Sequence, residues 1–243
     1  MKTIRLTAIM FLLLGAFVSC KKSNNTPTTN STDEAADLVT ASLSPSTQGA
    51  LSGSDDITAS AQVKITVDSL CGETWIDSVN RSIPFGSQYN YTYKAKYTYT
   101  LDCGTTSDTV KTTSAYNGSF VTPTLSSTFT GSSAFSIAGV GKNSTQYLIN
   151  GQYKRSGSFQ SKTDTSFEGT HSVDITINNL ILVRPLRIIK SGSASFTISG
   201  NMPKKGAFNY TGTIVFNGGD NATLTVNGTV YIIDISSRTK RRL

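Results

Sequence analysis

The chain has 243 residues, a formal net charge of +7 and a composition rich in Ser, Thr and other β-favouring residues. Such a length can bury a substantial core in one or two domains. Eight of the 22 Lys and Arg residues belong to the two chain ends, which leaves 14 basic against 15 acidic residues in the body. A near-neutral body gives no sign of a broad basic face, so we predict no nucleic-acid partner.

The first 19 residues have the features of a secretory signal peptide. Lys2 and Arg5 provide the positive start, and a short apolar run follows over residues 9–17. This run is shorter than the roughly 20 residues that a permanent membrane span requires. We therefore predict that residues 1–19 are removed on export.

The end of the leader, Phe17-Val18-Ser19-Cys20, resembles the lipobox of bacterial lipoproteins of the Bacteroidetes type. In that family the leader is cut before the cysteine, which becomes the lipidated first residue. The resemblance implies lipidation at Cys20, a membrane partner reached through the lipid anchor, and an outer-membrane location. An ordinary signal peptide with an incidental cysteine is the alternative.

Residues 20–32 are predicted to form the lipidated cysteine and a flexible tether, because residues 21–32 are polar and contain no apolar anchor. Some lipoproteins of this group carry an acidic signal after the cysteine that sends them to the cell surface. Lys21 and Lys22 occupy that place here. The resemblance therefore favours the periplasmic face over the cell surface.

A single long helix is predicted over residues 33–44. Hydroxyl residues precede it, acidic residues suit the positive end of its dipole, and Pro45 ends it. Residues 46–60 are rich in Gly and Ser and indicate at most a short helical turn. From Gln62 onward the apolar residues recur with a period of two, which predicts strands.

Turn residues divide the rest of the chain into about ten strands joined by short links. The predicted ranges are 62–71, 73–79, 88–103, 108–122, 125–140, 145–160, 165–179, 186–201, 206–217 and 221–235. Short links predict antiparallel neighbours and a long-stranded meander. Residues 33–237 are thus predicted to form one mainly β domain with an N-terminal helix, and residues 238–243 a basic tail.

Glycine recurs in the middle of these strands, at the alternate positions that otherwise carry the apolar residues. The positions include Gly118, Gly131, Gly151, Gly169, Gly192, Gly212 and Gly228. Glycine weakens a strand interior, so its repetition requires a reason. Aligned glycines let a sheet curl sharply and also leave a groove in which a helix can lie. They predict a strongly curled half-barrel or open barrel, similar in architecture to the half-barrels of envelope lipoprotein carriers.

The segment 88–103 has the most regular alternation. One parity carries Thr, Lys and other polar residues, and the other carries five tyrosines: Tyr89, Tyr91, Tyr93, Tyr97 and Tyr99. In one interpretation these rings fill the core; in the other they form a platform that binds a sugar or an apolar ligand. Their parity predicts that they face the same side of the sheet as the mid-strand glycines.

Two cysteines remain besides Cys20. Cys71 and Cys103 both begin a C-G-x-T segment that is followed by D-[S/T]-V. In an exported chain this pair predicts a Cys71–Cys103 disulfide, and two buried free thiols are the alternative.

Three tripeptides resemble the Asp-(Ser/Thr)-apolar site that Bacteroidetes glycosylate on exported proteins. The resemblance implies O-glycosylation at Ser69, Ser78 and Thr109.

The sequence contains no pattern typical of catalysis. His171, the single histidine, shares its parity with Val173 and Ile175, which indicates a packed core residue. Metal-ligand spacing, a nucleophile elbow, a phosphate loop and a dinucleotide glycine pattern are all missing. We predict a non-enzymatic protein without a cofactor, which binds an apolar ligand or an envelope component. The alternative is a structural or adhesive surface lipoprotein that acts as a spacer or contacts glycans.

Mass spectrometry of the mature protein tests the predicted anchor. We expect residues 1–19 to be absent and Cys20 to carry the acyl chains of a lipoprotein, because the leader resembles a lipobox. A Cys20→Ser variant should lack the lipid mass. Mature protein with an unmodified Cys20 would contradict the prediction.

Overall fold

The computed structural model describes residues 29–67, 71–83, 90–104, 108–164 and 166–243. Two helices, α1 (Thr29–Leu43) and α2 (Ala50–Val67), come first and are joined through a short 3-10 helix at Pro45–Thr47. The strands that follow are β1 (Thr74–Ile83), β2 (Asn90–Cys103), β3 (Asp108–Val121), β4 (Leu125–Ala138), β5 (Gln146–Ser161), β6 (Glu168–Val183), β7 (Ile188–Met202), β8 (Gly206–Gly218), β9 (Asn221–Val226), β10 (Thr229–Asp234) and β11 (Lys240–Arg242).

All eleven strands form one antiparallel sheet in which each strand pairs with its neighbours in sequence. The predicted mainly β meander is confirmed. Cys20 and the other residues before 29 lie outside the described residues, as do residues 68–70, 84–89, 105–107 and 165.

Helix α2 corrects the prediction for residues 46–67, where a short turn and then a strand from Gln62 were expected. The hydroxyl of Ser54 donates to the carbonyl of Ala50 at 3.0 Å, and that of Thr58 donates to the carbonyl of Ser54 at 2.9 Å. Such bonds satisfy hydroxyl groups within the helix itself. A Ser- and Thr-rich segment can therefore be buried as a helix despite its strand-like composition.

Three changes convert the ten predicted strands into eleven. The first predicted strand, at 62–71, is wrong for residues 62–67, which belong to α2. The segment 221–235 divides at Asn227-Gly228, where φ values of 46° and 84° make the tight turn of the β9–β10 hairpin. In the basic tail, β11 pairs with β10 and extends the sheet.

One face of the sheet, which we call the inner face, carries the core. Residues directly opposite each other on paired strands share a face. A continuous row crosses the sheet from β2 to β8 through Tyr97, Ser114, Ser133, Tyr153, Ile175, Phe196 and Gly212. The register confirms that the tyrosines of β2 face the same side as six of the predicted mid-strand glycines: Gly118, Gly131, Gly151, Gly169, Gly192 and Gly212. The prediction is wrong for Gly228, which lies in the turn between β9 and β10.

The expectation of a strongly curled half-barrel or open barrel is wrong, because the sheet is open and not strongly curled. Two helices rather than one cover the inner face, with α1 against β8–β10 and α2 against β5. Four of the glycine positions are covered by aromatic rings of neighbouring strands: Gly118 by Phe129, Gly131 by Tyr116, Gly151 by Phe135 and Gly212 by Phe196. These four glycines make room for the rings.

The predicted disulfide is confirmed. Cys71 and Cys103 are joined with an S–S distance of 2.03 Å and a Cα–Cα distance of 5.5 Å. The bond ties the chain after α2 to the end of β2.

Replacing a mid-strand glycine tests this packing. A Cβ at Gly131 would overlap the ring of Tyr116 and the carbonyl of Lys154. We expect Gly131→Ala to lower the free energy of unfolding by about 1–3 kcal/mol in urea denaturation, as overpacked core positions do. At Gly141 an added Cβ meets nothing within 4 Å, so Gly141→Ala is the matched control. Equal stability of the two variants would contradict the packing described.

Candidate functional site

Three of the tyrosines predicted to contact a ligand lie in the core. Tyr93, Tyr97 and Tyr99 are 2%, 0% and 1% exposed. The Tyr97 hydroxyl donates to Asp56 of α2 at 3.2 Å and lies 3.1 Å from the hydroxyl of Tyr93. A ligand would reach these rings only if α2 moved away from the sheet. Tyr91 is half-buried, and Tyr89 lies outside the described residues.

Asp56 connects α2 to the first two strands. Its side chain is 5% exposed, and it accepts a 2.5 Å hydrogen bond from Arg81 of β1 as well as the bond from Tyr97. Burial raises the pKa of Asp56, and the hydrogen bond and charge of Arg81 partly oppose that rise. Burial also raises the pKa of the Tyr97 hydroxyl. Through these hydrogen bonds, Asp56 holds α2 against β1 and β2.

Arg155 of β5 is a buried cation at the centre of the inner face, with 2% exposure. Its guanidinium lies 3.5 Å from the centre of the Phe129 ring, and Nη1 donates to the carbonyl of Ala41 at 3.1 Å and to that of Thr47 at 3.4 Å. Ala41 belongs to the last turn of α1, where a positive charge complements the helix dipole. Arg155 therefore holds this end of α1 against the sheet.

His171 occupies the core position that its parity predicts. It is 5% exposed, and its ring meets Phe159 edge-on with 5.8 Å between the ring centres. Burial lowers the pKa of His171 to about 3, and the positive charge of Arg155 adds to the effect. The imidazole is therefore neutral near pH 7, and its Nδ1 has no hydrogen-bond partner in the part of the chain that is described.

The opposite side of the sheet, which we call the outer face, carries mainly Ser, Thr and Asn side chains. Both helices lie on the inner face, so within the described ranges no other element covers it. Successive side chains of a strand point to opposite faces, so the strands that bury aromatic rings also present hydroxyl groups. A typical row crosses β2–β5 through Thr92, Ser119, Thr128 and Ser158. The polar parity of the segment 88–103 was the sequence signal for this surface.

Three shallow depressions lie on the outer face. The first, of about 430 Å³, is lined by Thr98, Thr113, Ser136 and Asn150 among others. The second, of about 420 Å³, is lined by Thr92, Asn117, Thr130 and Ser156 among others. The third has a volume of about 570 Å³ and shares Ser119 and Thr128 with the second. The second and third therefore form one continuous hydroxyl-lined groove.

A polar cleft of about 350 Å³ separates α1 from the turns at one end of the sheet. Lys205 bridges Glu34 and Asp164 at 2.6 and 3.5 Å, and Lys240 pairs with Asp37 at 2.7 Å. Burial raises the pKa of both Glu34 and Asp37, and the nearby lysines partly oppose the rise. The carboxylates are matched by these cations, so the cleft serves mainly to tie α1 to the sheet.

The residues predicted to carry O-linked glycans lie apart. Ser78 is exposed on β1, and Thr109 is half-buried near the start of β3. Ser69 lies outside the described residues.

Comparisons with known proteins find no relationship: no family model, curated protein or solved structure matches this chain. Neither of the two helices is both long and apolar enough to cross a bilayer. Across the described ranges, no group of three or more His, Cys, Asp and Glu residues could hold a metal ion.

The burial of His171 predicts a specific loss of stability in acid. The unfolded chain binds a proton below its ordinary pKa of 6.5, whereas the folded chain does so only near pH 3. The free energy of unfolding should therefore fall by about 2–3 kcal/mol between pH 6.5 and 4.5 from this residue alone. Urea denaturation of wild type and His171→Gln at both pH values isolates this contribution. An identical pH dependence of the two proteins would show that His171 is not buried in its neutral form.

Proposed function

We propose that this chain is a non-enzymatic, lipid-anchored envelope protein whose outer face contacts a hydroxyl-rich polymer such as a cell-envelope glycan. The observation that carries the proposal is the uncovered outer face, with its rows of Ser, Thr and Asn side chains and its continuous groove. The lipobox-like segment that ends at Cys20 supports the anchor and the outer-membrane location, with the periplasmic face favoured.

Hydroxyl and amide groups are suited to this contact because they both donate and accept hydrogen bonds. Side chains on one face repeat at about 6.6 Å along a strand and at about 4.8 Å between strands. An open sheet therefore offers a regular two-dimensional array to the hydroxyl groups of a polymer. Each contact is weak, but a polymer engages many of them at once, and their effects accumulate.

An apolar ligand is less well supported by the geometry. The aromatic side chains that would recognise it, including Tyr93, Tyr97 and Tyr99, pack against helix α2 and neighbouring rings. The outer face presents few large apolar groups; the exceptions include Ile76 of β1, 60% exposed, and Val215 of β8, 47% exposed. The proposal therefore takes the glycan-contacting alternative over the apolar one.

Co-sedimentation of the protein with purified peptidoglycan sacculi tests the proposal, with insoluble neutral glucan as a second probe. Thr130→Glu introduces bulk and charge into the second depression, and we expect it to weaken binding at least about tenfold, equivalent to about 1.4 kcal/mol. Thr213→Glu is the matched control, because Thr213 is also exposed on the outer face but does not line the three depressions.

Circular dichroism should show that both variants remain folded. The proposal would be contradicted if the wild-type protein bound neither polymer. An equal loss of binding in the two variants would also contradict it.

A further inference from the structure

Strand β1 forms an open edge of the sheet, since it pairs with β2 and with no other described strand. The backbone N–H of Leu101 donates to the carbonyl of Glu73 at 3.0 Å. Glu73 and Leu101 are therefore a hydrogen-bonded pair, and such pairs recur at every second residue of an antiparallel ladder. The odd-numbered residues of β1 thus form hydrogen bonds with β2. The N–H and C=O groups of the even-numbered residues, from Thr74 to Ser82, therefore point away from the sheet.

This edge combines unpaired backbone groups with apolar side chains. Ile76 is 60% and Ile83 is 40% exposed, and Trp75 and Val79 are only partly buried. Edge strands are commonly protected by proline, by a bulge, by charged side chains or by being short. β1 is ten residues long, contains no proline and keeps a regular register with β2. The opposite edge, β11, has only three residues.

We propose that β1 pairs with β1 of a second copy of this chain, antiparallel across a twofold axis at Val79. In this register Asp77 faces the second copy's Arg81, and Arg81 faces the second copy's Asp77. Trp75 lies opposite the second copy's Ile83. The strand is therefore complementary to itself in both charge and apolar side chains.

The charges select this register among the alternatives. A slip of two residues in either direction places Asp77 opposite Val79 or Ile83 and removes both acid–base pairs. A slip of one residue would bring side chains of the inner face against those of the outer face. Arg81 already donates to Asp56, but its guanidinium carries five N–H donors and can serve a second carboxylate.

The pairing adds about eight backbone hydrogen bonds across the edge, two for each hydrogen-bonded residue pair. Both copies keep their helices on the same side, because the twofold axis runs perpendicular to the sheet. The two outer faces then merge into one surface of twice the width. This dimer goes beyond the proposed glycan contact and does not depend on it.

Site-specific crosslinking tests the register. The two Val79 residues form a non-hydrogen-bonded pair with a Cα–Cα distance of about 4.5 Å, which a disulfide can span. We use the full chain in mild detergent, with Cys20→Ser so that an introduced cysteine is its single free thiol. Oxidation with copper–phenanthroline should convert Val79→Cys into a covalent dimer on a non-reducing gel. Ile83→Cys, whose two copies would lie about 26 Å apart at 3.3 Å per residue, should remain monomeric.

Absence of a Val79→Cys dimer, or equal crosslinking of the two variants, would overturn the proposal.

Charge reversal provides a second measurement by analytical ultracentrifugation. Asp77→Arg alone and Arg81→Asp alone should each weaken self-association about tenfold or more. A mixture of the two variants should regain it, because each acid then meets a base across the edge. Because Arg81 also donates to Asp56, circular dichroism first establishes that both variants are folded. A mixture of the folded variants that associates no better than either alone would also overturn the register.

Discussion

The structure depends on burying one face of a wide antiparallel sheet beneath two helices built largely of small side chains. Ala36, Ala50, Ser54 and Thr58 are fully buried, and a Cβ on Gly53 would lie within 3.9 Å of the Tyr97 hydroxyl. Small residues let the helices approach closely, while the strands supply the bulk as Tyr, Phe and Ile. The period of two in each strand then places the hydroxyl-bearing residues on the other side. One-sided burial thus creates both the core and the polar outer face.

Polar contacts determine where each helix lies on this core. Asp56 joins α2 to Arg81 and Tyr97, Arg155 holds the last turn of α1, and Lys205 pairs with Glu34. Burial of the carboxylates and the arginine has a desolvation cost, which offsets much of the stability that these contacts add. Apolar packing alone would allow a helix to slide along a sheet of such uniform composition. The polar groups of the inner face are consequently part of the fold.

Much of the fold followed from the sequence because alternation is a strong signal over long strands. The strand at 90–103, the strand order and the Cys71–Cys103 disulfide were all predictable. Helix α2 was not, because Val63 and its neighbours alternate like a strand, while the hydroxyl bonds to preceding carbonyls depend on tertiary burial. The mid-strand glycines were misinterpreted as a cause of curling, because the rings that cover them, such as Phe129 over Gly118, come from neighbouring strands. The polar residues at alternate strand positions predicted the outer face, but its depressions depend on how neighbouring strands are aligned.

The inner face is thus filled by the fold, and the outer face remains available to a partner. Diazirine footprinting of the folded protein, alone and bound to peptidoglycan sacculi, tests this division most directly. The account predicts that Tyr93, Tyr97 and Tyr99 remain unlabelled in the free protein. Binding should then protect outer-face side chains of β2–β5 and leave labelling of α1 and α2 unchanged. Labelling of the three tyrosines in the free protein, or protection confined to the helices, would contradict it.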